Sequence, residues 1–545
     1  MASYTSTLFA PQSRRSGLAP MFAALLALVF SHAVTAIPLQ TPGNFDPLFA
    51  GGLGKIASLS FTIGNDRAYA VALQPDGKIV LAGECPAVGG GSDFCLARLN
   101  SDGSLDASFT GPVGVASGKF LLPMGSENDA ARAVALQPDG KIIVAGSCHN
   151  GVNSDFCIAR LNANGSRDSS FGGPGGAGNG LFLLPIGSNE DRATAVTLQS
   201  DGKILLAGYC YNISNNDFCA ARLNTDGTLD STFVGPAGNG VGKFLFSVGT
   251  KDDYASAMVL QGDGRILLAG NCVDSGNLSQ FCVARLNPDG TLDTTFDGPG
   301  ASPGNGKFLL SIGLSDNVAT AVVLQPDGNI VLAGFCTVGL ADFCAARLLP
   351  GNGALDASFV GPAGTGDGRF TFPMGAAQDF ALGVALQSDG KLVLVGNCLQ
   401  SGFAYFCAAR LNGDGSLDTT FDGPSSAANG KMLLSIGTAN DRAYAVAIQP
   451  DGKMVVAGFC GDGFNDDFCI ARLSGGPFGY KNCSMDIDGD GKVQATTDGL
   501  MITRVMLGMT GNSVVAGAVG VGASRTTWTG IRDFLVTQCG MTVAP

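Results

Sequence analysis

The chain has 545 residues, of which 45% are hydrophobic and only 14% charged, with 81 glycines and a net charge of −13. That balance excludes a disordered polar chain and argues for many short strands and turns rather than long helices. With no basic cluster to offset the acids, it also disfavours nucleic acid, acidic polymers and anionic membranes as partners.

In chain order, the first feature is a leader. Arg14 and Arg15 precede an apolar stretch from Met21 to Phe30, and Val34-Thr35-Ala36 has the small residues that a signal peptidase accepts. Residues 1–36 are read as a cleaved signal peptide, the general secretory route fitting better than the twin-arginine one. Cleavage removes two arginines and no acids, leaving −15. No later segment has the ~20 uninterrupted apolar residues of a membrane span. A secreted, cell-surface or periplasmic monomer is expected.

The 16 cysteines support export. They fall into eight pairs: Cys85 with Cys95, Cys148 with Cys157, Cys210 with Cys219, Cys272 with Cys282, Cys336 with Cys344, Cys398 with Cys407, Cys460 with Cys469, and Cys483 with Cys539. An even set at regular spacing in an exported chain reads as disulfides. Zinc is disfavoured, because C-x-x-C pairs are missing and the mature chain keeps one histidine, His149.

Self-similarity sets the expected fold. The phrase Leu-Gln-Pro-Asp-Gly-Lys recurs seven times with small changes, beginning at Leu73, Leu136, Leu198, Leu260, Leu324, Leu386 and Ile448, in steps of 62 to 64 residues. Each copy has room for four strands. In the second, Ala133 to Gln137 makes the first strand, Pro138-Asp139-Gly140 a tight turn, Lys141 to Cys148 the second strand, Asp155 to Asn162 the third and Leu181 to Ile186 the fourth. Near-continuous apolar runs predict sheets covered on both faces. The array begins with half a repeat, since Asn44-Phe45-Asp46-Pro47-Leu48-Phe49 mimics the Leu-Asp-x-Ser-Phe connection and Ser58 to Ile63 a fourth strand. It ends after a third strand at Arg472-Leu473. An N-terminal strand that completes the last blade would close the ring and remove exposed sheet edges. The expectation is an all-β, seven-bladed propeller over residues 37–478. Each of the first seven cysteine pairs would then join the end of a second strand to the start of a third, as cross-strand partners.

The string L-Q-P-D-G-K-I-x-x-A-G…D-F-x-x-A-R-L-N-x-D-G-x-L-D-x-x-F resembles the delta-60 repeat family, propeller units of bacterial exported proteins. The resemblance covers residues 44–473. It implies the fold and no activity, because that family has no general assigned function.

Residues 479–545 break the pattern. Asp486, Asp488 and Asp490 occupy loop positions 1, 3 and 5, Gly491 follows at 6, and the carbonyl of Lys492 stands at 7, the spacing of a Ca²⁺ loop. Asp498 to Leu507 reads as the helix behind it. This segment resembles a dockerin-type, EF-hand-like half-site. Position 12 is Thr497, with Asp498 one residue later, and the second loop usual in dockerins is missing. With Asp486, Asp488, Asp490, the Lys492 carbonyl and Asp498 as ligands of a loop one residue longer, calcium is still expected, while docking to a cohesin is not.

Within the propeller, a lone loop histidine has no Ser/His/Asp setting around it, and the acids sit mostly in repeated turns. The seven third-strand arginines (Arg98, Arg160, Arg222, Arg285, Arg347, Arg410, Arg472) are expected to pair with acids of their own blades, as Asp106 would with Arg98. Asn100-x-Asp102-Gly103-x-x-Asp106 is better explained by turn chemistry than by a metal. Before each first strand stands Asp66, Asp129, Asp191, Asp253, Asn317, Asp379 or Asp441. These residues either cap turns or ring the mouth of the central channel and hold a cation or polar ligand there.

The loops joining strands two to three and four to one open on one face, and the two-to-three loops differ in every blade: ECPAVGGGSDFC, YCYNISNNDFC, NCLQSGFAYFC, FCGDGFNDDFC. Tyr209, Tyr211, Phe335, Phe403, Tyr405, Phe459 and Phe464 add rings there that either pack under their own loops or meet a ligand. The expected function is noncatalytic binding of an extracellular glycan or protein. The alternative is a polysaccharide-acting enzyme with carboxylates at the channel mouth and the dockerin-like tail for attachment.

Overall fold

The computed structural model describes residues 42–535, apart from 88, 116, 177, 300–303, 365, 425–428, 476–486, 490–493, 495 and 508. The leader read at residues 1–36 and the cystine read at Cys483 and Cys539 lie outside the described residues.

Seven four-stranded antiparallel sheets follow one another along the chain. From the axis outward, blade 1 consists of Arg67–Leu73, Ile79–Pro86, Ser92–Leu99 and Lys119–Leu122. The inner strands of blades 2 to 7 are Asp129–Leu136, Asp191–Leu198, Asp253–Leu260, Asn317–Leu324, Asp379–Leu386 and Asp441–Ile448. Each packs against the inner strand of the next blade, and the seventh against the first. Closure is as expected from the half repeat: Lys55–Leu59 is the outer strand of blade 7, Lys55 lying opposite Ala471 and Ile56 opposite Ile470. The tight turns work as read, with Gln74 and Lys78 bonded across blade 1's hairpin (2.8 Å) and Gly77 at φ +83°.

The apolar runs are buried on both faces because the cores lie between blades. Val80, Phe94 and Phe109 of blade 1, for example, pack with Ala131, Ile142 and Ala159 of blade 2. Seven disulfides join second to third strands, with Cα atoms 5.7–5.9 Å apart. Their geometry corrects the expectation of directly opposed partners. Cys85 lies opposite Asp93, and Cys95 opposite Gly83, so the bridge runs diagonally. Opposite the second cysteine the chain needs glycine: a Cβ on Gly83 would stand 1.8 Å from the Arg67 carbonyl oxygen. That close approach accompanies a β-bulge in the inner strand, where Ala68 pairs with Gly83 and Ala70 with Ala82, leaving Tyr69 unpaired. The same bulge recurs in all seven inner strands.

Blades are tied together at the end of the tight turns. Arg98 Nε binds Asp106 Oδ2 (2.7 Å), its guanidinium lies 4.6 Å from the Phe109 ring centroid, and Nη1 donates to the Ala163 carbonyl of blade 2. The pairing with the acid of its own blade is as expected. Arg472 repeats the arrangement at the closure, with Asp46 at 2.7 Å, the Phe49 ring at 4.6 Å and the Ser101 carbonyl of blade 1. For Asp106, Asp168, Asp230, Asp293, Asp356 and Asp418, burial works upward. Hydroxyl, amide and guanidinium donors outweigh it and hold each carboxyl below its usual range, to about 2 for Asp230.

At the opposite end, aspartates build the four-to-one loops. Asp191 Oδ2 accepts the amides of Ile186 (2.7 Å) and Gly187 (2.9 Å), and its equivalents do the same. Here burial wins. It pushes Asp191, Asp253 and Asp441 up to about 6 and raises Asp66, Asp129 and Asp379, with Asp155 and Asp217 adding to the shifts of Asp191 and Asp253. Between blades 4 and 5 the acid pair is replaced by amides, Asn317 Nδ2 donating to Gln280 Oε1 (3.0 Å). That pair keeps at every pH the neutral hydrogen bond that two carboxyls can make only when they share a proton.

Beyond the propeller, helices Asp498–Met506, Asn512–Val515 and Trp528–Asp533 surround a small core that includes Ile487, Met501, Val514, Ala518 and Ile531.

Two predictions follow from these ties. Asp46→Ala leaves Arg472 buried without its carboxylate and should cost about 3–5 kcal/mol in urea unfolding. The double variant Asp46→Leu with Arg472→Met should recover most of that loss, and an unchanged midpoint in the single variant would refute the role of the pair. The second concerns pH. The raised aspartates stabilise the fold below their unfolded value, and that stability is lost as pH rises through about 6. The lowered ones stabilise above it and lose their contribution as pH falls toward about 2. Urea midpoints should therefore rise from pH 7.5 to pH 5 and fall again at pH 2.5, whereas a monotonic fall on acidification would contradict the assignment.

Candidate ligand-binding site

A bulged residue escapes strand alternation, and its side chain is re-aimed out of the ladder. In five-residue phrases of the form x-Ala-x-Ala-Val, the bulge position holds Tyr69, Arg132, Thr194, Ser256, Thr320, Leu382 and Tyr444 (blade 4 ends in Met258, and blade 6 has Gly383 for the second alanine). Where the residue is small it ties neighbouring inner strands, as Thr194 Oγ1 does by donating to the Ala255 carbonyl (2.8 Å). In blades 7, 1 and 2 it is large, and these three meet. The Tyr69 and Tyr444 rings stand edge to face at 5.0 Å, and the Arg132 guanidinium lies 3.8 Å from the Tyr69 centroid.

Second-strand residues just before the first cysteine of each pair complete the cluster. Glu84 accepts from the Tyr69 hydroxyl (2.6 Å), with Arg132 Nη2 at 3.5 Å and Arg67 Nη1 at 3.8 Å. Phe459 is buried 5.9 Å from Tyr444, with Arg67 at 5.1 Å and Arg442 at 6.0 Å from its centroid. Arg67 also binds Asp466 (2.7 Å). Burial, opposed by Arg132 and reinforced by Glu84, pushes the Tyr69 phenol well above its usual value, so it remains a neutral donor. The arrangement offers guanidinium forks and aromatic surface, and it lacks a base poised on an exposed nucleophile.

The residues singled out from the sequence divide. Phe459 lies in the cluster. Tyr209 packs edge-on against Tyr254, and Phe335 against Phe380, both at 4.9 Å across blade seams. Tyr211 and Tyr405 are half-buried in strands near the loops, while Phe403, the first residue of the strand Phe403–Leu411, and Phe464, in a loop, are 49% and 92% exposed. Asp66, Asp129, Asp191, Asp253, Asn317, Asp379 and Asp441 are all buried, their oxygens turned to loop amides. His149 Nδ1 accepts the Gly151 amide and lies 3.5 Å from Glu127. Asp102 accepts the Ser104 amide, the expected turn chemistry.

Of the calcium-loop residues, Asp486, Asp490 and Lys492 lie outside the described residues. Asp488 is buried and accepts the Gly520 amide. Asp498 Oδ1 accepts the amides of Ile487 (2.5 Å) and Asp488 (3.3 Å), and Oδ2 that of Gln494 (2.9 Å). Burial raises this carboxyl, but those amides prevail and hold it low. Asp498 thus gathers the amides of Ile487, Asp488 and Gln494 at the first residue of the helix Asp498–Met506.

Sequence reasoning missed Arg67, Tyr69, Glu84, Arg132, Arg442 and Tyr444. The available signal was their departure from an otherwise repeated phrase, at positions the strand period assigns to no common face.

Seven disulfides indicate an oxidising, extracellular environment. Among the described residues no helix is long and apolar enough to cross a membrane. No curated protein matches the chain. Among solved structures, a protein of unknown function from Dyadobacter fermentans is 14% identical, with 77% of this chain and 99% of that one covered and a TM-score of 0.37. A streptogramin B lyase (12% identity, 77% and 98% covered, TM-score 0.41) and a PL25 ulvan lyase bound to -[GlcA(1-4)Rha3S]- (12%, 77% and 96%, 0.42) are similar to the same degree. Residues 74–109, 137–171, 199–233, 261–296, 325–359 and 387–421 each match the family model described as a domain of unknown function (DUF5122) beta-propeller. With six matched repeats in a ring of seven blades, the chain belongs to the DUF5122 β-propeller family, which is the delta-60 repeat family.

Proposed function

We propose that this protein is a secreted, noncatalytic binding or scaffold propeller whose ligand, a glycan or a protein, docks on the face of the two-to-three and four-to-one loops. The propeller fold suits that role. The observation that carries the reading is the concentration of unrepeated chemistry on one face of a repeated frame. The cluster around Tyr69 and Tyr444 sits at the channel, and the loops around it present Val152, Ile213, Phe403 and Phe464 to solvent.

The second reading, a polysaccharide-acting enzyme, is favoured by one feature, the Glu84 carboxylate held between Tyr69 and two arginines. The cap aspartates do not serve it, since they are buried in loop hydrogen bonds. In the C-terminal module, Ca²⁺ would be held by Asp486, Asp488, Asp490 and the Lys492 carbonyl, with Asp498 ordering the loop. When bound, the ion would supply structural support.

A glycan array probed with oxidised residues 37–545, with and without calcium, tests the first reading. Binding to a defined sugar class, reduced at least tenfold by Tyr444→Ala, is expected. A blank array would remove the glycan and leave protein partners. Glu84→Gln separates the two readings, since lost turnover with retained binding would establish the enzyme. Calcium is tested through Trp528, the single tryptophan, which packs on the module core. EDTA should lower the melting transition read by its fluorescence, and an unchanged transition would exclude a structural ion.

A further inference from the structure

Resting on the binding face proposed above, we infer that its ligand is an anionic saccharide, carrying carboxylate or sulfate groups, seated at the channel mouth over blades 7, 1 and 2. Three guanidiniums converge there, those of Arg67, Arg132 and Arg442. Two carboxylates, Glu84 and Asp466, face them, so the cluster keeps an excess positive charge in a protein of net charge −13.

The arrangement of the charges is as telling as their count. Arg67 and Arg442, from adjacent blades, approach one ring, Phe459, at 5.1 and 6.0 Å. Two guanidiniums carried to one ring from neighbouring blades give an anion two forks to meet on the same patch. Arg67 is neutralised by Asp466, whereas Arg442 is exposed and makes no ion pair or side-chain hydrogen bond among the described residues. Its planar fork is available to a carboxylate or sulfate. Side chains of Arg67 and Arg132 are 34% and 33% exposed, so their forks also reach solvent.

Between the cations lie two partly exposed rings, Tyr69 and Tyr444, backed by the buried Phe459. Arg132, Tyr69, Tyr444 and Phe459 follow one another at 3.8, 5.0 and 5.9 Å. Two partly exposed rings, Tyr69 and Tyr444, flanked by guanidiniums match a chain of sugars, whose C–H groups pack on aromatic rings while acidic substituents meet the arginines. A neutral glycan would leave the cations unanswered, and an inorganic anion would leave the rings unused. Blades 4 to 6 offer no counterpart. Their bulge and preceding positions carry Tyr254, Ser256, Val318, Thr320, Phe380 and Leu382.

The test uses titration calorimetry of the oxidised full mature chain against polygalacturonate, dextran sulfate and unsubstituted dextran at fixed ionic strength. Binding of a polyanion by this acidic protein, with dextran unbound, is expected. Arg442→Gln should weaken that binding about tenfold, and with no ion pair or side-chain hydrogen bond to lose among the described residues it should leave the thermal transition unchanged. Lys141→Gln, in a tight turn at the other end of the blades, should leave it unchanged. The two anionic arms tell carboxylate from sulfate. Dextran binding as tight as that of the polyanions would overturn the inference while leaving the binding-face reading intact, as would Arg442→Gln behaving like the wild type. Failure to bind all three polymers would also overturn it, and only a blank glycan array as well would remove the glycan reading.

Discussion

Each blade buries one arginine, and the ring depends on what that side chain holds. Its Nε is bound to a carboxylate of its own blade, its face lies on a phenylalanine of the same connection, and its Nη1 reaches a turn carbonyl of the next blade. A guanidinium removed from water must have all of these partners or lose more in desolvation than it gains. The seven links are therefore alike in kind from Arg98 to Arg472. At the closure, Asp46 and Phe49 stand where other blades use an aspartate and phenylalanine that follow their own third strand. A second set of ties acts at the outer edge, where Lys55 and Lys431 donate to the carbonyls of Ser435 and Pro373 in the preceding loops.

With the frame tied at the turn end by repeated residues, the opposite end is free to vary. Diagonal disulfides pin both roots of every two-to-three loop, so changes at the tips do not propagate into the strands. The inner-strand bulges are common to all blades, yet the side chain they carry varies from blade to blade. Threonine there bonds a backbone carbonyl, while tyrosine and arginine build a surface. A single backbone device thus serves cohesion in some blades and gathers rings and a guanidinium in others.

Charge shows the same separation of frame from face. The net −13 comes largely from aspartates engaged in turns, caps and arginine pairs, where they face amides and guanidiniums. The expectation that acidic polymers are unwelcome followed from the sum. The charge of the cluster over blades 7, 1 and 2 follows from placement, which sets Arg67, Arg132 and Arg442 beside Glu84 and Asp466.

The primary structure determined the period, the seven disulfides of the blades, the arginine–aspartate pairing and the closure, because each is written in local phrases whose partners sit at fixed offsets. It also marked the variable face through loops that differ against a constant background. The candidate site was not legible in that way. Tyr69 and Tyr444 are neighbours only because the ring closes between blades 7 and 1, and Arg132 joins them only because a bulge breaks the two-residue alternation of its strand. The fate of the mouth aspartates was likewise a tertiary matter. Whether Asp191 and its equivalents face a ligand or their own loop depends on how the preceding turn folds back, and it folds so that the amides of residues four and five positions earlier enclose the carboxylate.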